Sequence, residues 1–188
     1  MTVADEFDAQ KDALTDEKAS VSSCTGSETD AAENRKKSAF LGFTGCYNHG
    51  IDAKGRMIIP ASFREALGET FVTGLTLDFN AIALYPVDEW LKQQNMLEEL
   101  LKKDIRVQLL IDRICKYSYT DTETDAQGRL LLPGKLRSMI LGDAREIEVS
   151  GAKTYIRVVS AQSALDEEEE FKKEIPNVLD FIARVQQN

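Results

Sequence analysis

The sequence predicts an α+β fold in which two copies of one small unit pair as a pseudo-two-fold β-barrel or sandwich with flanking helices. The first observation is an internal repeat: Asp52-Ala-Lys54-Gly55-Arg56-Met-Ile-Ile-Pro60 returns as Asp125-Ala-Gln127-Gly128-Arg129-Leu-Leu-Leu-Pro133. The second is that the match runs on, with Phe63, Arg64, Ala66 and Leu67 falling on Leu136, Arg137, Met139 and Ile140. The third is size. Each unit carries a helix of no more than about three turns, too short to persist in water without tertiary support, so each copy needs the other.

Ahead of the first turn, Phe43, Tyr47 and Ile51 suit a pleated, half-buried strand; ahead of the second, Tyr117, Tyr119 and Thr120 predict its counterpart. In Asp-Ala-x-Gly the aspartate can accept hydrogen bonds from backbone further along, and Gly55 or Gly128 can take a positive φ, so the chain reverses. Asp52, Gly55, Asp125 and Gly128 are therefore turn-structural residues. Residues 57–59 and 130–132 have strand length, and Pro60 and Pro133 end the ladder and suit a helix's first position. Phe63, Ala66 and Leu67, like Leu136, Met139 and Ile140, have the spacing of one buried helical face. Gly68 and Gly142 follow where left-handed caps are expected.

Residues 71–85 predict two further strands around Asp78-Phe-Asn80, and residues 147–159 predict their counterparts around Gly151-Ala-Lys153. Trp90, Leu97 and Leu101, then Val107, Leu110, Ile111 and Ile114, mark two linking helices. An acidic helix starts near Ala161, with a break or bend expected at Pro176. Its Phe171, Val178, Leu179 and Ile182 could pack on a neighbouring subunit as easily as on their own.

The tandem Asp-x-x-Gly-Arg motifs, each followed by three apolar residues, Pro and a short Arg-bearing helix, resemble the AbrB-type swapped-hairpin DNA-binding fold, and their duplication resembles the MraZ family. The stretch from Tyr47 to Arg64 is similar to that family's first copy, and Tyr85-Pro-Val-Asp-Glu-Trp90 to its following segment. The resemblance runs from about Phe43 to near the C-terminus and implies a ring-forming bacterial transcriptional regulator. Its implied target is short G-rich direct repeats of double-stranded DNA in the promoter of the division and cell-wall gene cluster. The chain departs from the family pattern at residues 1–40, which have no counterpart, and at Cys46, where glutamate is usual. The implied division is an extension (1–40), a first AbrB-like repeat (41–88), linking helices (89–114), a second repeat (115–160) and an acidic helical segment (161–188).

A chain of 188 residues holds one ordinary domain or two small coupled ones. No stretch is long and apolar enough to span a bilayer, and the acidic amino terminus lacks a secretory signal's pattern, so a cytoplasmic protein is expected, and the resemblance implies that it is nucleoid-associated. Cys24, Cys46 and Cys115 form no C-x-x-C pair and read as free thiols. Residues 1–39 read as a disordered acidic tail that ends in Arg35, Lys36 and Lys37, either a basic arm or a solvated linker.

The net charge of −9 opposes DNA binding. Screening limits exposed charges to about 8 Å at physiological salt, so a local patch of Lys54, Arg56, Arg64, Arg129, Lys135 and Arg137 can still dominate its surroundings. Arg56 and Arg129 are candidate base readers, because a guanidinium fork can bond guanine O6 and N7 together. Alternatively, each pairs with Asp52 or Asp125 across its own turn and reads nothing. Lys54 is a candidate phosphate contact or an exposed turn lysine. Arg64 and Arg137 hold phosphate or cover apolar surface with their stems.

Cys46 and His49 supply too few ligands for zinc, and residues three apart on a strand face opposite ways, so neither metal, cofactor, small-molecule substrate nor enzymatic role is expected. The rival to a DNA-binding regulator is an oligomeric, antitoxin-like protein-interaction scaffold with structural arginines.

Overall fold

A computed structural model of the chain describes residues 41–186. The expectations placed on residues 1–40, including Cys24 and the basic run 35–37, lie outside them. The elements follow the α+β order predicted: β1 (Cys46–Gly50), β2 (Arg56–Ile58), α1 (Ala61–Leu67), β3 (Phe71–Leu75), β4 (Ile82–Pro86), α2 (Val87–Leu101), α3 (Val107–Lys116), β5 (Arg129–Leu131), α4 (Gly134–Ile140), β6 (Glu146–Gly151), β7 (Ile156–Ser160) and α5 (Ala161–Val185).

Among the described residues, seven strands form two antiparallel sheets that mix the two copies. The larger has the order β1-β6-β7-β4-β3, so β1 of the first copy closes on β6 of the second, with Tyr47 opposite Val149 and His49 opposite Ile147. The hairpins β3–β4 and β6–β7 meet at its middle, where Ile82 faces Val158. The smaller sheet is the ribbon β2–β5, centred on Met57 opposite Leu130. Reciprocal bonds extend this ribbon: Ile59 N–H donates to the Gly128 carbonyl at 3.0 Å and Leu132 N–H to the Gly55 carbonyl at 3.2 Å. Each copy thus supplies the partner groups that the other's hairpin needs.

The main core lies between the sheets and the short helices, and a smaller one of Val72, Ala83 and Tyr85 packs against Trp90 and Tyr155. Met57, Ile59, Phe63, Leu130, Leu132 and Leu136 from the repeated motifs all join the main core, packed against Ile82, Leu84, Ile147, Val149, Ile156 and Val158 from the larger sheet. The inward-facing apolar residues of both motifs are therefore spent on a shared interior, which ties local turn chemistry to global stability.

Several expectations are corrected. The strand ahead of the second turn shrinks to two isolated bridges, Tyr119 with Thr73 and Thr124 with Leu130: Thr73 and Tyr119 exchange backbone hydrogen bonds at 2.9 and 2.8 Å, and the Thr73 and Thr122 hydroxyls lie 2.8 Å apart. Helix α3 runs to Lys116 and the exposed acids Asp121 and Glu123 follow, leaving no apolar alternation with which to build a longer strand. On α4, Met139 is 40% exposed, and Leu141, just past the helix, fills the core instead. Gly142 has φ +55 and its N–H donates to the Arg137 carbonyl, whereas Gly68, also at positive φ (+81), has ψ 178, a glycine-favoured exit outside the left-handed helical region. Helix α5 is continuous through Pro176, so the chain is not broken there. The proline removes one hydrogen bond, to the Lys172 carbonyl, on a helix with no buried residue, where water can replace it. Among the described residues, no helix is long and apolar enough to cross a membrane.

Candidate nucleic-acid interface

The two turns are built alike. Asp52 Oδ1 accepts from the backbone N–H groups of Lys54 and Arg56, both at 2.9 Å, and its Oδ2 accepts from Arg56 Nε at 2.7 Å. Asp125 does the same with Gln127 at 2.9 Å, Arg129 N–H at 3.0 Å and Arg129 Nε at 2.7 Å. Backbone bonds close each loop, Gly55 N–H to the Asp52 carbonyl at 2.9 Å and Gly128 N–H to the Asp125 carbonyl at 2.8 Å. The glycines have φ +85 and +74, a region a side chain with Cβ resists.

These contacts hold both carboxylates in their charged form. The Arg56 backbone N–H, then its side chain, lowers the Asp52 carboxyl to about 2, and the Arg129 backbone N–H followed by its side chain lowers Asp125. Depressed acids contribute stability above the ordinary carboxylate range near 4 and lose it as the pH falls through their folded values. Melting temperature should therefore drop as the pH is lowered from about 4 towards 2. Asp52→Asn should flatten that segment of the profile, and an unchanged slope would show that the turn carboxylate contributes nothing.

Arg64 and Arg137 cross to the opposite copy. Arg64 Nε donates to the Ile59 carbonyl at 2.8 Å, and a Cβ added to Gly128 would overlap its guanidinium. Symmetrically, a Cβ on Gly55 would overlap the guanidinium of Arg137. Both turn glycines are buried. Each helix arginine thus roofs the other copy's turn, and the glycines are needed for close approach as well as for their φ.

Arg56 and Arg129 do pair across their own turns, through Nε only. Among the described residues the terminal nitrogens of each guanidinium have no protein partner, and the side chains are 30% and 33% exposed. Pairing therefore orients each fork without consuming it. Register places both on one surface. Arg56 is opposite Leu131, and Ile58 is opposite Arg129. Because Met57 and Leu130 point into the core, these four share the outward face of the ribbon. The exposed aliphatics Ile58 (42%) and Leu131 (56%) were not singled out by the sequence reading, although alternation within each repeated triplet carries that signal. Lys54 is exposed at the tip of the first turn, its counterpart Gln127 at the tip of the second, and Lys135 is exposed on α4.

Tyr47 and His49 stack on one face of β1, 6.5 Å apart, while Cys46 is exposed and alternates to the other. Burial first, and then Glu148 beside it, raises the Cys46 thiol, the opposite of what a thiolate nucleophile requires. Among the described residues, no group of three or more His, Cys, Asp or Glu could hold a metal ion.

Comparison with known proteins bears on both the turn and the helix that follows it. A family model described as "MraZ protein, putative antitoxin-like" matches residues 43–110, which include the first turn but not the second. The chain is 41% identical over 120 residues to a "Transcriptional regulator MraZ" of Moorella thermoacetica, covering 63% of this chain and 80% of that one. It is 34% identical over 146 residues to the protein of the same name from Desulforamulus reducens, covering 74% and 99%. Against that of Lachnoclostridium phytofermentans, identity is 44% over 99 residues, covering 50% and 65%.

Proposed function

The chain belongs to the MraZ family, and on that premise we propose that it is a sequence-specific, non-enzymatic DNA-binding transcriptional regulator. Its proposed target is short G-rich direct repeats in the promoter of the division and cell-wall gene cluster. The observation that carries this reading is the outward face of the β2–β5 ribbon, where Asp52 and Asp125 aim two guanidinium forks whose ends remain open. A two-stranded ribbon is of a size that the major groove admits, and an Arg fork matches guanine O6 and N7.

In this reading Arg56 and Arg129 read bases and Lys54 contacts phosphate. Arg64 and Arg137 brace the turns and add positive charge behind them. Residues 41–88 and 115–160 act as the two AbrB-like repeats of a swapped-hairpin barrel, joined by 89–114 and followed by 161–188, while 1–40 lie outside the DNA-reading unit. The crossed pairing of β1 with β6 and of β2 with β5 supports that division. One ribbon binds weakly. A ring of subunits engages several repeats at once, and effective concentration turns modest contacts into useful affinity.

The net charge of −9, with Asp121 and Glu123 lining the depression beside Lys54 and Arg137, favours a second reading, an oligomeric protein-binding scaffold. A salt-series titration on the gene's upstream repeats and on scrambled DNA decides between them. Wild type should prefer the repeats, and Lys54→Ala should weaken both DNAs while flattening the salt slope by about 0.9 per lost phosphate contact. Equal wild-type affinity for both DNAs sinks the regulator reading.

A further inference from the structure

The larger sheet ends differently at its two edges. Beyond β3, Tyr119 meets the edge by exchanging two backbone hydrogen bonds with Thr73, and the exposed acids Asp121 and Glu123 follow. Short pairing and charge both guard an edge against a further strand. The β1 edge has neither guard. Its five residues, Cys46-Tyr-Asn-His-Gly50, include no Lys, Arg, Asp, Glu or Pro, and among the described residues only β6 pairs with them. The hydrogen bonds show which backbone groups are left. Ile51 N–H donates to the Arg145 carbonyl, Gly151 N–H to the Gly45 carbonyl, and Phe43 and Lys153 exchange bonds, so the odd-numbered residues face β6. The N–H and carbonyl groups of Cys46, Asn48 and Gly50 therefore point away from the sheet, and all three residues are exposed. Such an edge matches an extended polypeptide, whose own backbone alternates donors and acceptors at the same repeat.

The surroundings of the edge select the side chains. Asn48 and Gly50 share the outer face of the sheet with Glu148 and Glu146, their partners in β6. Helix α5 stands over this face without closing on it, and its Leu165, Glu168 and Phe171 wall a groove of about 870 Å³ whose floor is those strand residues. Leu165 is 62% exposed and Phe171 54%. Every acidic or basic side chain of the Lys, Arg, Asp and Glu types that lines the groove is a glutamate: Glu146, Glu148, Glu167 and Glu168. Glu167 is paired with Arg157 at 2.6 Å and Glu168 with Lys172 at 3.8 Å. Glu146 and Glu148 have no ion pair among the described residues. Arg145 and Lys153 lie beyond the two ends of β6 and do not line the groove.

We infer that β1 is a docking edge for a basic, extended segment of another protein, added beside it as a sixth strand of the larger sheet. Its backbone bonds Cys46, Asn48 and Gly50. Lysine or arginine on its outer face reaches Glu148 and Glu146, because two strand spacings, about 9.5 Å, are within the joint reach of the two side chains. The stems of those same residues cover Leu165 and Phe171. A nucleic-acid strand is repelled by the glutamates, and pairing with β1 of a second copy would set two such acidic grooves together. The edge belongs to the larger sheet and the arginine forks to the ribbon β2–β5, so this docking does not depend on the DNA reading.

The test titrates the full chain, by calorimetry over a salt series, with a short blocked peptide of alternating lysine and valine. Its fully N-methylated form keeps the charge and cannot donate backbone bonds. Wild type should bind the first peptide, less tightly as salt rises, and not the second. Asn48→Pro removes an N–H that faces the open edge and leaves the bonds to β6 in place, so binding should fall at least about tenfold. Glu146→Gln with Glu148→Gln should weaken binding by about three- to tenfold and flatten its salt dependence. Melting curves check that both variants fold, and if Asn48→Pro melts early the two peptides on wild type still decide. Equal binding of both peptides, no binding of either, or wild-type affinity in a folded Asn48→Pro overturns the inference. Self-association of wild type that Asn48→Pro abolishes would assign the edge to a second copy and overturn it equally.

Discussion

Arg56→Ala should reduce the affinity for repeat DNA to near that for scrambled DNA. A good bidentate guanine contact discriminates by about 1–3 kcal/mol, so the preference should fall between about 5- and 150-fold. The fold should survive, because Asp52 keeps its bonds from the backbone N–H groups of residues 54 and 56, and Met57 keeps its place opposite Leu130. Arg56→Lys is the informative companion. Lysine retains the charge but has no planar fork, so non-specific binding should persist while the preference is lost. Full preference in Arg56→Ala would mean that the pair with Asp52 is its whole role.

Arg129 is held in the same way, with both Nε bonds to the turn aspartate at 2.7 Å. The geometry therefore gives no ground for ranking the two forks. What distinguishes the copies is the tip residue, Lys54 in one and Gln127 in the other. Substituting either arginine should cost preference, whereas only the first turn should carry an extra salt-dependent contribution.

The legible part of this molecule is its short-range chemistry. An aspartate two and four residues ahead of the N–H groups it accepts from and a glycine at positive φ are decided within a few residues and stand where the sequence places them, while Pro60 and Pro133 enter their helices one position early, as N-caps rather than first helical residues. The rest depends on chain segments brought together from far apart. That Arg137 roofs Gly55 and Arg64 roofs Gly128 cannot be read from either motif alone, because each arginine acts on the other copy. The outward placement of Ile58 and Leu131 follows only once Met57 and Leu130 are known to face the core. The lost strand near Tyr119 was a competition between local propensity and helix α3, which runs to Lys116. Pro176 shows the reverse, a local rule about helix breaking that an exposed helix tolerates.

The largest loss of stability from a single methyl group should come from Gly151→Ala. Gly151 ends β6, and the segment leading into β1 crosses directly over it: Gly151 N–H donates to the Gly45 carbonyl at 2.8 Å, while Phe43 and Lys153 exchange backbone bonds at 2.8 and 3.0 Å. A Cβ there would overlap the Phe43 carbonyl group and the Thr44 nitrogen. The contrast with Gly55 is one of compliance. A guanidinium can swing away from an added methyl, whereas the Phe43 backbone is fixed by its own hydrogen bonds and by a side chain buried edge-on against Phe63 at 5.6 Å. Relief would require moving Phe43 out of the core or breaking the crossing, so a destabilisation of about 3 kcal/mol is expected, at the upper end of overpacking effects. For a domain of this size that is a fall in Tm of about 6–12 °C. Gly134→Ala is the matched control, since nothing lies within 4 Å of its Cβ position, and its Tm should stay level or rise. Because this crossing anchors the start of β1, which runs straight into the Asp52 turn, Gly151→Ala should also loosen the first arginine's fork. DNA preference should then fall as temperature nears the lowered Tm and return on cooling. A variant as stable as wild type would show that the 43–45 segment does not clamp β6, and that the first turn is held from its ribbon partner alone.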